Sequence, residues 1–494
     1  MAAMLLITFV FATALLLSYY IQRSVVRLRS LPPGPIGYPI FGSFLQFKTG
    51  KLSDYLNKLS DRYGDIISVR LGSKLVVFLN SNDVIREAFT ENGDVFGGRP
   101  HDQLMLPRRA IGKGVVWSEG ETWKFMRRYT VSAMRDYGMG KLSIEGKAQL
   151  ELIHLANELS RSSAQRPLNA NSLLSIAVSN ITCNIIFGDR FDYDNPRFKQ
   201  LIDMFNNELF AKRIVETALN FLPWLRFLPS YAKIQKNRTY ELEQSWQFIR
   251  ELMEEHKQSR TPGAPPRDFL ESMMDETESD RDTAHLFDQH LIYTINQLFL
   301  AGTDTTATTM EWVIWFLLKF PEYQDRLYDE IVDAFGTHDP LVYDQRRRVP
   351  HLESFIMEVQ RMSSIAPLSL PHATTKAVQL RGYELPERTV VYANIARVHY
   401  DPKKWSDPFE FKPARFLYED GSVNSRIPSF MPFSAGKRIC LGEGLARVEL
   451  FHFTGGLIRL FRFHNPKGVK SPPEGRRVGL LVHPAAYEFY VTRR

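Results

Sequence analysis

Residues 1–22 carry no charged side chain, and that single fact limits what the rest of the chain is free to do. From Ala2 to Ile21 the run is Leu, Ile, Val, Phe, Ala and Met, broken only by Thr8, Thr13, Ser18, Tyr19 and Tyr20. About 20 residues of helix rise ~30 Å, the thickness of a bilayer's hydrocarbon core. Arg23, Arg27 and Arg29 follow at once. Positive charge stays cytosolic, so an uncleaved single-pass anchor with a cytosolic body is expected. A cleaved signal peptide is the rival. Against it, the apolar run exceeds a usual signal core and no positive segment precedes it. The small-residue pattern Ala12-Thr-Ala14 lies inside that run. Asn180-Ile-Thr182 and Asn237-Arg-Thr239 match the glycan acceptor pattern, and glycan on either would overturn this topology. Four prolines between Pro32 and Pro39 then stop any helix. Residues 23–40 therefore read as a basic, proline-rich, stiff hinge.

The chain has 494 residues, 44% apolar and 24% charged. That is ordinary globular composition and excludes a disordered, collagen-like or coiled-coil protein. The length suits two to four domains, or one large domain built around something that is not protein. A net charge of +7 is too diffuse to argue for nucleic acid and suits a membrane-facing surface or an acidic partner. Two cysteines, Cys183 and Cys440, exclude a disulfide scaffold.

The body reads as mainly helical with a minor β component. Helical patterns cover 141–165, 198–212, 233–258, 284–320, 321–336, 350–362 and 442–460. Strand-like runs occupy Val69–Val77 around a turn at Gly72-Ser73, Val115–Trp117 and Thr389–Tyr392. The stretch 259–266 reads as a surface loop between helices. Residues 291–318 tempt a second membrane span, but Asp304 sits near the middle. A carboxylate there costs about 2.5–3.5 kcal/mol. A long core helix with a polar kink at Ala301-Gly-Thr-Asp-Thr-Thr306 is expected instead.

Cys440 lies in Phe433-Ser-Ala-Gly-Lys-Arg-Ile-Cys-Leu-Gly-Glu-Gly, just ahead of a helical pattern. A helix N-terminus, with Lys437 and Arg438 nearby, pushes a thiol toward thiolate. Gly436 and Gly442 allow a tight turn and close approach to a flat partner. A lone cysteine is otherwise a small buried hydrophobe, which is the reading for Cys183. Gly442-x-Gly444 lacks the third glycine and preceding strand of a dinucleotide loop.

Phe433-x-x-Gly436-x-Arg438-x-Cys440-x-Gly442 resembles the haem-ligand signature of the cytochrome P-450 family. Ala301–Thr306 resembles that family's oxygen-activating kink, Glu358-Val-Gln-Arg361 its E-x-x-R, and Phe411-Lys-Pro-Ala-Arg-Phe416 its P-x-R-F. The wording is most similar to the animal microsomal branch that oxidises drugs, fatty acids and steroids. Ala414 stands where many members carry Glu. The resemblance implies the P-450 fold over residues 41–494, with haem b held between a long kinked helix and the cysteine loop. Cys440 would be the axial thiolate and the metal ligand, shielded by Phe433. Arg99, Trp123, Arg127, His372 and Arg438 would meet the haem propionates. Asp304 and Thr305 would be the acid–alcohol pair that delivers protons. Glu358, Arg361 and Arg415 would form a structural triad.

No flavin- or nicotinamide-binding segment is present in the sequence. The resemblance therefore implies an NADPH–cytochrome reductase partner, with a small haem electron carrier as a further one. Lys124, Arg127, Arg128, Arg135, Lys437, Arg438 and Arg447 would form the docking face. Candidate pocket walls are His101–Gly114, 204–216, Leu298–Thr305 and Ile365–Leu370. Phe221, Leu222, Trp224, Leu225, Phe227 and Leu228 read as a membrane-dipping segment. The expected activity is insertion of one oxygen atom from O2 into a lipophilic molecule (fatty acid, steroid or xenobiotic) at the endoplasmic reticulum membrane. Two alternatives stay open: an isomerase or dehydratase acting on peroxides without a reductase, and a non-catalytic haem sensor or carrier.

Overall fold

The computed structural model describes residues 30–494 except 39, 47–51, 102–107, 139–141, 164–165, 203–219, 262 and 280–283. The expected anchor and the basic start of the hinge lie outside the described residues. Among those described, no helix is long and apolar enough to cross a membrane.

Among the described residues, thirteen α-helices and ten short strands follow one another in this order. Helix α1 (Leu52–Tyr63) leads into the hairpin β1 (Ile66–Leu71) and β2 (Lys74–Leu79), then α2 (Asn82–Arg86). Next come α3 (Gly114–Trp117), α4 (Gly120–Asp136), α5 (Leu142–Ser163), α6 (Ala170–Ile186), α7 (Pro229–Ser259), α8 (Phe269–Ser279), α9 (Ala284–Lys319), α10 (Glu322–Phe335) and α11 (Pro350–Ser363). Strands β3 (His372–Ala373), β4 (Val378–Leu380), β5 (Tyr383–Leu385) and β6 (Val390–Ala393) precede α12 (Ile395–His399) and α13 (Glu443–Leu460). The chain closes on β7 (Phe461–His464), β8 (Arg476–Val478), β9 (Val482–Pro484) and β10 (Tyr490–Arg493).

The expected mainly helical body with a minor β region is what is found. Val69–Val77 does turn at Gly72-Ser73, and Val69 pairs with Val76 across the hairpin. β6 pairs parallel to β2, Val76 opposite Val390, and β3 adds antiparallel to β6 with His372 opposite Val391. That register is what carries His372 into the interior. Ser259 ends α7, and the described residues of 260–266 form a loop that leads toward α8, much as expected. The 198–212 pattern lies largely outside the described residues, where only its start is helical.

One reading needs correction. Val115–Trp117 is helical, not extended. Its β-branched residues favour strand only weakly, and contacts to α9 decide the matter. The long helix expected over 284–320 is found as Ala284–Lys319, and its turns continue through the polar stretch. Thr305 and Thr309 hydroxyls bond the carbonyls of Ala301 and Thr305 at 2.8 and 2.9 Å, which absorbs the polarity without breaking the helix. Gly302 is needed there, because a Cβ would come within 2.6 Å of the Thr182 hydroxyl on α6. The proline-rich segment is fastened to the body. Ser68 donates to Pro33 O at 2.9 Å and to Pro32 O at 2.6 Å, and Leu31 is buried.

Helix α9 is the axis of the fold. Its 36 residues span about 54 Å, and Met310, Val313, Ile314, Phe316 and Leu317 bury completely or nearly so. α6, α8 and α13 pack around it in one continuous apolar core. Burying such side chains contributes about 1.5–3 kcal/mol each.

Candidate active site

The cysteine loop folds because Gly436 permits one close approach. Gly436 has φ 77°, and a Cβ there would fall 1.8 Å from Phe89 O. Cys440 N–H closes the loop on Phe433 O at 3.1 Å. α13 begins at Glu443, so the sulfur stands at a helix N-terminus. The expected depression of the thiol is not met in the protein alone. Cys440 is exposed on the side of the site, yet the protein atoms packed around the sulfur, with the Glu443 charge, push the thiol up, ahead of the Gly442 and Glu443 N–H groups and Arg127, which pull it down. A bound cation would have to supply the rest of the stabilisation.

Arginines from three distant segments meet beside this loop. Arg438 stacks on Trp123 at 3.9 Å and donates to Gly97 O (2.8 Å) and Ser118 O (2.6 Å). Arg127 donates to Ile439 O at 2.7 Å. Arg99, 4% exposed, donates to Val116 O and Pro371 O. Burial and mutual repulsion drive Arg438 down to about 8 and Arg99 to about 10. Glu119 is the carboxylate whose charge reaches both. It also takes the Arg99 N–H at 2.9 Å and pairs with Arg388, a role that sequence reasoning missed. Arg438 Nη1 is buried without a hydrogen-bond partner. Such a donor costs about 1–3 kcal/mol unless something accepts from it.

His372 stacks on Phe89 at 3.9 Å, and its Nδ1–H donates to Phe96 O at 2.8 Å. Burial, then Arg99, holds it well below its ordinary value, so it is neutral. Its Nε2 is then an acceptor, and donation to an anion needs a second proton that the anion's own charge would favour.

Opposite the loop, α9 presents Thr305 and Thr309 to a cavity that is also lined by Ile365, Phe433, Ala446 and Leu450. Asp304 is buried at 3% exposure. Thr305 is half-buried, with its hydroxyl already bonded back to Ala301 O. One residue apart on a helix, the two side chains point about 100° from each other. Glu449 on α13 is a second carboxyl that sequence reasoning missed. It is 1% exposed and pushed up by burial to about 8, against a smaller downward pull from Thr306. Its signal was weak: a charged residue inside an apolar helical pattern.

Away from the cavity, Glu358 receives Arg361 through two bonds of 2.7 and 2.8 Å, Arg415 at 3.1 Å and Lys412 N–H at 2.8 Å. Arg361 also donates to His399 O and Pro408 O at 2.8 Å, and both Glu358 and Arg361 are fully buried.

The expected docking cations divide. Lys124, Arg128, Arg135 and Lys437 are exposed, but Arg438 is spent on interior carbonyls. Of the pocket walls, 102–107 and 204–216 lie outside the described residues, and His101 is exposed, 3.0 Å from Glu119. Asn180 is 1% exposed and bonded to Glu151 and Phe191, so only Asn237 is open to modification.

The chain matches the family model for Cytochrome P450 over residues 32–491. The chain belongs to the cytochrome P450 family. It is 37% identical to cytochrome P450 2B4 of Oryctolagus cuniculus over 90% of this chain and 89% of that one. It is similarly 37% identical to cytochrome P450 2H2 of Gallus gallus, covering 91% and 90%. Cytochrome P450 2U1 of Rattus norvegicus is 33% identical, covering 96% and 92%. As a P450 the chain is a haem monooxygenase with a cysteine thiolate as axial ligand to the iron. The residues present fit that group. A buried donor without an acceptor and three crowded arginines suit an anion, and Cys440 would supply the sulfur.

Proposed function

We propose that this P450 inserts one atom of O2 into a lipophilic small molecule with electrons that begin on NADPH: RH, O2, two electrons and two protons give ROH and water. Fatty acids, steroids and xenobiotics are the candidate classes. The observation that carries the reading is the arginine cluster around Arg438, which has a buried donor to spare and ends at Cys440.

When bound, the haem iron supplies oxygen activation, favoured by the electron-rich sulfur. The protein's residues do the rest. Cys440 is the sulfur donor, and the Gly442 and Glu443 N–H groups temper its charge. Arg99, Arg127, Arg438 and Trp123 hold the carboxylate edge, with His372 joining when doubly protonated. Phe433 lines the sulfur side, where Arg447 lies over its ring at 5.1 Å. Thr305 offers a hydroxyl at the cavity wall, and Asp304 one residue away is the acid that replenishes its proton. Glu358, Arg361 and Arg415 keep the fold that positions the loop.

Electrons come from a separate flavin reductase, docking its acidic face on Lys124, Arg128, Arg135 and Lys437. A small haem electron carrier suits the same cations. Residues 1–22 anchor the protein in the endoplasmic reticulum membrane, 23–40 connect, and 41–494 form the catalytic body on the cytosolic side. Ile36, Ile40, Trp224, Phe227 and Leu228 are exposed, and Phe41 meets Trp224 edge-on at 6.0 Å. These two segments therefore form one apolar surface suited to the bilayer. Buried Phe221, Leu222 and Leu225 are its support rather than part of it.

Reconstitution with purified NADPH reductase tests this. Lipophile oxidation should require NADPH, reductase and O2 together. Turnover of peroxides without reductase, and none with it, would contradict the proposal.

A further inference from the structure

Helix α3 is only four residues long, too short to be stable on its own propensity. Side chains on both flanks hold it instead. From α9, His290 Nδ1 accepts the Gly114 N–H at 3.0 Å, and Gln297 Oε1 accepts the Val116 N–H at 2.8 Å. Gln297 Nε2 returns a bond to Lys113 O at 2.9 Å. From the arginine cluster, Arg99 donates to Val116 O at 3.0 Å and Arg438 to Ser118 O at 2.6 Å. Burial keeps His290 neutral by pushing it down to about 4, which leaves its lone pair for Gly114. The fit is close. Gly114 has φ 72°, and a Cβ there would come within 2.5 Å of the Gln297 amide.

His290, Gln297, Ala301 and Thr305 recur at intervals of 7, 4 and 4, so they share one face of α9. Ala301 is exposed on that face and Thr305 lines the cavity. Gln297 therefore sits about two turns from the cavity-lining Thr305, on the same face. We propose that His290 and Gln297 are specificity-determining positioning residues, which fix Lys113–Val116 as a wall of the substrate pocket and register it with the arginine cluster. They act through the backbone of α3. Elongated lipophiles, which must run along this wall, depend on them; compact ligands at the haem do not. The inference rests on the haem monooxygenase reading of the site.

Spectral titration of the purified, haem-loaded chain with two probes tests it: imidazole, which is compact, and 1-dodecylimidazole, which is elongated. In Gln297→Leu and His290→Leu the imidazole Kd should hold. The dodecylimidazole Kd should weaken about tenfold, the scale of one buried hydrogen bond lost. Gln297→Glu keeps the acceptor for Val116 and loses the donor to Lys113, so it should fall between. Equal changes for both probes, or none, would overturn the proposal. So would loss of the thiolate-type CO band in Gln297→Glu, because the contact would then serve folding alone. A wild-type chain without that band would instead sink the haem reading itself, and the inference with it.

Discussion

Two arginine clusters lie in this protein, and they are built on opposite plans. Around Glu358 every charge is answered. Arg361 and Arg415 share one carboxylate, and backbone carbonyls take the remaining donors. Around Arg438 the charges are not answered. Arg99 and Arg127 repel it, Glu119 offsets only part, and a buried donor is left over. The first cluster is complete without any ligand and the second is not. Satisfied buried charge marks structure, and unsatisfied buried charge marks a binding site.

The sharpest test of that contrast removes one member from each. Glu358→Ala leaves two buried guanidinium groups unpaired and should cost about 3–5 kcal/mol in denaturant unfolding, with or without haem. Arg438→Ala should do the reverse. The haem-free chain should be as stable as wild type or more so, because the repulsion is relieved. Haem should dissociate about 10–100-fold faster, matching a charged bond of ~1.5–3 kcal/mol. Equal loss of haem-free stability in both variants would erase the distinction.

Acid sharpens it further. His399 accepts the Met431 N–H at 3.1 Å, bonds Ser364 at 2.8 Å, and burial, then Arg361, pushes it down to about 3. Its folded value lies below the ordinary 6.5. Its contribution is therefore complete above that pH and is lost as pH falls from there toward 3. About 2 kcal/mol should disappear between pH 6.5 and 5, and His399→Gln should flatten that slope. The smallest effect belongs to the surface. Lys437→Gln removes an exposed pair with Asp94, and stability should change by less than about 1 kcal/mol. Reductase association, read by stopped flow, should slow and lose part of its salt dependence.

What the sequence made legible follows the same division. The cysteine loop, the Asp304–Thr305 stretch and Glu358–Arg361 are local patterns, and each could be read within a few residues. Arg99, Trp123 and Arg438 lie far apart in the chain, and only resemblance to a family could gather them. Glu119, Gln297 and His290 were invisible, because their roles exist only once α3, α9 and the β3 region meet. Asn180 looked modifiable because its acceptor motif is local, whereas its burial is not. The bonds that fasten the proline-rich segment to Ser68 leave no trace in its own composition.

The most direct measurement is the ferrous–CO difference spectrum of the purified chain beside Cys440→Ser. The account predicts the thiolate-type band in the first and its absence in the second. An unchanged band without the Cys440 sulfur, or a wild-type chain that takes up no haem, would contradict it.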